Sequence, residues 1–365
     1  MKPRHPSNQT SLENDNVSYR TRDRRKLQHE AVLPDSTRSA KARPGEDRQA
    51  RRGRGRSADK PSDISKQGWK DILWRTKDEM KKDNLSIVSA GVAFYIFLGI
   101  IPALGALISL WGFVAEPTTI QQQVDSMTGV LPPQVIEILD EQMTRLANEK
   151  SGALLATIVG ILLAIWSGAK AMKALMNALN ITYEEEETRG FIRLNLTAIA
   201  LTFAGIIGFI IAIGIVVVLP TILEFIGLGS TAAAAVKILR WPLLAVFAVL
   251  GLGILYRYGP DRDPARWRWV SWGAVAATVM WIAVSAGFSF YVSNFGNYNK
   301  TYGTLGAVVV LLLWFLISSY TVLFGAELNA EMEHQTEKDT TRGPDQPKGQ
   351  RDAYVADNIG EAKRN

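Results

Sequence analysis

Six runs of apolar residues occupy the middle of the chain, at about 85–114, 153–174, 194–219, 241–256, 272–292 and 305–328. A helix rises about 1.5 Å per residue, so about 20 apolar residues cross the roughly 30 Å hydrocarbon layer of a bilayer. A water-soluble core has no need of several such runs. The pattern therefore predicts an all-α polytopic membrane protein, a six-transmembrane helix bundle filling residues 84–333. Prolines punctuate it. Pro132-Pro133 opens a short amphipathic helix from Pro133 to Leu146, Pro220 stops the third run, and Pro242 falls in the first turn of the fourth. Pro102, inside the first run, predicts a kink.

The flanks read differently. From Ile64 to Lys82, the apolar Trp69, Ile72, Leu73 and Met80 gather near one face, and Lys66, Lys70, Lys77 and Lys81 lie mostly on the other. This predicts an interfacial amphipathic helix over 63–83. A short helix packed on the protein is the other reading. Residues 1–62 are rich in Arg, Ser, Asp, Pro and Gly and predict a basic, disordered tail. Residues 334–365 predict a second disordered tail, on the cytoplasmic side.

Charge sets the orientation. The first 82 residues hold 22 Lys and Arg against 12 Asp and Glu, while the whole chain carries only +6. Basic residues also mark the 2–3 connection (Arg189, Arg193) and the 4–5 connection (Arg257, Arg262, Arg266, Arg268), whereas the 1–2 and 5–6 connections have few. The positive-inside rule then places both termini in the cytoplasm. The apolar run that starts near residue 85 is too long for a cleavable leader, so the first span is expected to act as the insertion signal.

The candidate chemistry is sparse. There is no cysteine, and His5, His29 and His334 all lie in the tails or at their edge. That excludes disulfide and thiolate chemistry and a histidine metal site within the spans. No catalytic residue, metal or cofactor is predicted. Ionisable residues at membrane depth are costly and tend to face an interior. Glu327 and Glu331 at the end of span six, and Lys170, Lys173, Asn177 and Asn180 on one face of span two, are therefore predicted to wall an inner cavity. Arg189 and Arg257 stand at the same depth, and Glu327 is expected to pair with a basic residue of span two or the 2–3 connection. A surface carboxylate with snorkelling lysines is the bland alternative. Asn297, Tyr298, Asn299 and Tyr302 form a polar, aromatic corner between spans five and six, either a ligand contact or a tight hairpin. The basic tail suits anionic lipid or a protein partner. Nucleic acid is not expected, because no aromatic residue interleaves its arginines as a stacking platform would.

Several of these stretches resemble the YihY/BrkB family of bacterial inner-membrane proteins. They are Ala90-Gly-Val-Ala-Phe-Tyr95 with Pro102; Trp166-Ser-Gly and Ala174-Leu-Met-Asn-Ala-Leu-Asn180 with Tyr183, Glu187, Arg189 and Phe191; Leu255-Tyr-Arg-Tyr-Gly-Pro260 with Trp267-Arg-Trp269; and Phe295 to Gly306 with Gly325-Ala-Glu-Leu-Asn-Ala330. The match runs in order over about residues 65–333, and Gly99 stands where the pattern suggests serine. The resemblance implies a six-span bundle in the cytoplasmic membrane. It also brings an old transfer-RNA ribonuclease label, which these residues oppose: the acids Glu184 to Glu187 are contiguous and would splay to different faces of a helix. The reading is a non-enzymatic protein that transports or distributes an envelope component such as a lipid. The alternatives are a structural or regulatory membrane partner and, behind it, a lipid-modifying enzyme or ribonuclease.

Overall fold

The computed structural model describes residues 53–114, 153–215, 230–295 and 304–362. The elements are α1 (Lys66–Lys82), α2 (Leu85–Val114), α3 (Ala153–Thr182), α4 (Phe191–Ile213), α5 (Ser230–Tyr258), α6 (Trp267–Phe295), α7 (Thr304–Glu333) and the single turn α8 (Tyr354–Asp357). Helices α2 to α7 each contain a stretch long and apolar enough to cross a membrane. Among the described residues there is no strand, only an isolated bridge between Ala265 and Thr341.

Local chemistry explains the ends. Ser65 caps α1, its hydroxyl accepting from the Gly68 amide at 3.2 Å. Asn84 takes a left-handed conformation, φ 50°, and turns the chain from α1 into α2. Asparagine tolerates that region better than most residues. Helix α5 begins at Ser230, well before the expected residue 241, because Ala232 to Ala235 are strong helix formers; Pro242 thus lies inside the helix rather than in its first turn. Helix α3 runs eight residues past the expected 174, because Met176, Ala178, Leu179 and Asn180 are buried against neighbouring elements.

In the bundle, α2 lies along α3 and α7, α6 packs on α7 and α5, and α4 covers α3. The core gathers Leu85, Val92, Leu179, Tyr183, Tyr256, Ala274, Leu323 and Ala326. Large apolar side chains such as Ile101, Leu162, Phe209 and Phe290 point outward. A bilayer accepts such a surface; water would not. The tightest crossing joins α6 and α7. A methyl on Gly325 would lie 2.6 Å from both Ala277 Cβ and the Gly273 carbonyl, and 2.5 Å from the Tyr256 hydroxyl. Asn329 locks the same crossing: its amide oxygen accepts from Gly273 N (2.8 Å) and its amide nitrogen donates to Val270 O (3.1 Å). Tyr256 of α5 donates to Val322 O of α7 at 2.7 Å.

Two expectations need correction. The segment after α7, expected as a disordered tail, is packed from residue 334 to 362, and residues 53–62 pack with it. Gln335, Thr336, Thr340 and Val355 are fully buried, and Arg56, Ala58 and Pro61 are buried too. The composition is polar, but many of its polar groups find partners within the fold. Arg56 donates to His334 O and Gly360 O, Gln335 donates to Arg54 O, and Thr336 donates to Ala58 O. The expected helix from Pro133 to Leu146 and residues 1–52 lie outside the described residues.

Candidate functional site

The two terminal segments, α1 and the 2–3 and 4–5 connections converge at one end of the bundle. Their polar side chains form a buried cap there. At its centre Arg75 of α1 pairs with Glu331 of α7, their side chains 5% and 2% exposed. The same guanidinium donates to Glu331 O (3.0 Å), Gln335 Oε1 (2.9 Å) and Glu361 O (2.8 Å). Arg262 forks onto Glu333 at 2.7 and 3.2 Å, and Thr340 donates to the same carboxylate. Arg54 pairs with Asp71 at 2.8 Å. Arg351 donates to Glu337 O, Lys338 O and Ala356 O, stitching the segment that follows α7.

A second knot ties the connections together. Arg189 donates to both oxygens of Glu187 at 2.7 Å and to Gly259 O at 3.0 Å. Asp261 accepts from the Thr188 hydroxyl and amide, both at 2.6 Å. Asn180 bridges the two, donating to Glu187 and accepting from Asp261 N. Burial works against ionisation of Glu187 and Asp261. The donors outweigh it, Arg189 for Glu187 and Thr188 then Arg189 for Asp261, and hold both carboxyls below their ordinary range. Their contribution to stability is full above a pH of about 4 and is lost as pH falls through the depressed values. The apparent Tm of the purified protein should fall on acidification, and Asp261→Asn should flatten part of that fall. A pH profile identical to wild type would disprove this role for Asp261.

The sequence-predicted cavity residues do not share one cavity. Asn180 and Arg189 meet in the knot just described. Lys173 donates to Asn195 at 3.0 Å and links α3 to α4. Lys170 sits 3.6 Å over the ring of its own helix's Trp166, and Asn177 is exposed. Arg257 bonds the Ala265 carbonyl and stacks near Trp267 and Tyr258. Glu331 is buried as expected, but its cation comes from α1. The expected pair between Glu327 and a base of span two or the 2–3 connection is not formed: Glu327 is 2% exposed and its Oε2 has no hydrogen-bond partner. On α3, Lys170 is exposed and Lys173 is engaged with Asn195. Asn297, Tyr298, Asn299 and Tyr302 lie outside the described residues.

Arg75 was the residue that sequence reading missed. The signal was present: Gly68, Asp71, Ile72 and Arg75 recur at three- and four-residue spacing and form the buried face of α1. A charge on an apolar stripe marks a buried partner. Trp69 packs against Trp272, ring centres 5.9 Å apart.

Two recesses flank the cap. One is a groove of roughly 720 Å³ between the end of α1, the start of α2, and α6 and α7. Lys77, Lys81 and Asn84 line its polar rim, and Ile87, Met280, Tyr320 and Phe324 its apolar wall. Its volume lies within the range of ligand sites, about 300–1,000 Å³. No carboxylate lines it. The other, about 290 Å³, lies under the segment after α7 and is lined by Glu79, Lys82, Glu184, Glu331, His334 and Tyr354, among others.

Comparison with known proteins places these features. The family model described as Virulence factor BrkB matches residues 76–350. A Bacillus subtilis protein whose name describes it as ribonuclease-like, YfkH, is 32% identical over 250 residues, covering 66% of this chain and 88% of that protein. A UPF0761 membrane protein of Alteromonas mediterranea is 25% identical over 263 residues, covering 69% and 84%. One from Acinetobacter baylyi is 26% identical over 264 residues, covering 68% and 57%. No solved structure matches.

Proposed function

This chain belongs to the BrkB family of membrane proteins, and on that premise we propose that it moves or distributes a lipid of the bacterial envelope, without catalysing a reaction. The observation that supports this is the groove beside α1. Its polar rim holds two lysines one helical turn apart, and its wall continues into the outward-facing apolar surface of the spans. A lipid has that same division, an anionic or polar headgroup above acyl chains. In this reading the basic connections lie on the cytoplasmic side of the inner membrane, with both termini. The Arg75 pair keeps α1 seated on α7, so the groove is preformed. The ribonuclease-like name of the Bacillus relative suggests another chemistry. Among the described residues, however, no three His, Asp or Glu side chains converge as a hydrolytic metal centre needs.

The test is movement of a fluorescently labelled phospholipid between the leaflets of vesicles carrying the purified protein. Neutralising both Lys77 and Lys81 to glutamine should slow the protein-dependent rate roughly 10- to 30-fold, at about 1 kcal/mol for each lysine near an anionic surface. A double variant as fast as wild type would remove the groove from the path. No protein-dependent movement at all would overturn the transport reading in favour of a structural or regulatory membrane partner.

A further inference from the structure

Among the described residues, the fold supplies no counter-charge to Glu327 at the cap end. Its Oε2 is buried and makes no hydrogen bond. The charged groups that bear on it most strongly are Asp83 and Glu79 from the end of α1, Glu184 from the connection after α3, and Glu331 from its own helix. All four are acids. The nearby basic side chains are already committed: Arg75 pairs with Glu331, Lys82 with Glu79 at 2.5 Å, and His334 lies 3.4 Å from Glu331. Helix α2, which packs along α7, brings no Asp, Glu, Lys, Arg or His. It offers Ser89, whose buried hydroxyl is also unpartnered. An isolated ionised carboxylate in such a place is costly, and neutralisation is the usual escape.

We propose that Glu327 is the inner end of a proton-binding site entered through the acidic recess beneath the segment after α7. The step is simple: a proton from water binds a carboxylate oxygen, giving the neutral acid, and leaves by the same route. The burial is graded. Glu184 is exposed and lines the recess with Glu79, Asp83 is partly buried, and Glu327 is wholly so. The outer members suit the task. Burial first, then their acidic neighbours, push Asp83 up to about 6, and burial likewise pushes Glu184 up. A metal ion fits less well, because no three acidic or histidine side chains converge among the described residues.

The experiment is infrared difference spectroscopy of the full chain in lipid nanodiscs through a series of pH steps. Wild type should show the carbonyl stretch of a protonated, buried carboxyl. Glu327→Gln should lose that band, and proton uptake per chain should fall by about one. Glu331→Gln should keep it, since Glu331 is the ion-paired member. Asp83→Asn leaves Glu327 in place; removing the neighbouring negative charge should move the midpoint of the band to lower pH. This last variant and wild type decide the matter even where Glu327→Gln proves unstable. Absence of the band in wild type, or its survival in Glu327→Gln, overturns the proposal.

Discussion

Replacing Arg75 by alanine is expected to destabilise the protein by about 3–5 kcal/mol, the range for removing one partner of a buried ion pair. The effect is large because Glu331 stays behind at 2% exposure with no other guanidinium. The substitution also strips donors from Glu331 O, Gln335 Oε1 and Glu361 O, so the segment after α7 loses its hold on α1. Two measurements check this. Thermal unfolding in detergent should show the loss, and hydrogen exchange should speed up between residues 334 and 362. The double variant Arg75→Ala/Glu331→Gln should recover part of the loss, because the orphaned charge is gone. Equal damage in the single and double variants would mean that the pair is not the source of the effect.

The second large effect is expected at the α6–α7 crossing. Gly325→Leu should prevent the two helices from meeting and yield aggregated or protease-sensitive protein. Even alanine there meets Ala277 Cβ and the Gly273 backbone at 2.6 Å. Neither is the end of a flexible side chain, so the helices must separate; overpacking of this kind costs about 1–3 kcal/mol. Separation also weakens the Asn329 bonds to Gly273 and Val270 and the Tyr256 bond to Val322. Size-exclusion profiles and thermal transitions of the alanine and leucine variants would check it. A leucine variant that behaves like wild type would show that the crossing is looser than its geometry implies.

The spans were legible because a bilayer demands a composition, and that demand is local. Each apolar run maps to one of the helices α2 to α7. Their ends were less legible. The fourth run starts at Trp241 by hydropathy, yet its helix begins at Ser230; the second run ends near residue 174, yet its helix continues to Thr182. The cap was hardly legible at all. Its residues are polar, and their burial depends on partners more than 250 positions away, as with Arg56 and His334 or Arg75 and Glu331. Composition reports the cost of burying such groups but not the donors that offset it. Depth alone singled out Glu327 and Glu331, but it did not reveal that Glu331 is paired and Glu327 is not.

The cap also constrains the order in which the chain is assembled. Arg56 and Arg75 leave the ribosome before the first span, and their acceptors lie at the end of the sixth span (Glu331) or beyond it (His334 and Gly360). During synthesis these arginines wait without partners while the six helices enter the bilayer on hydropathy alone. The cap closes as the last event, after the whole membrane region is in place. A chain that ends before residue 334 would keep the Arg75–Glu331 pair but lack the contacts of Arg56 with His334 and Gly360, so it would hold its helices with the cap half closed.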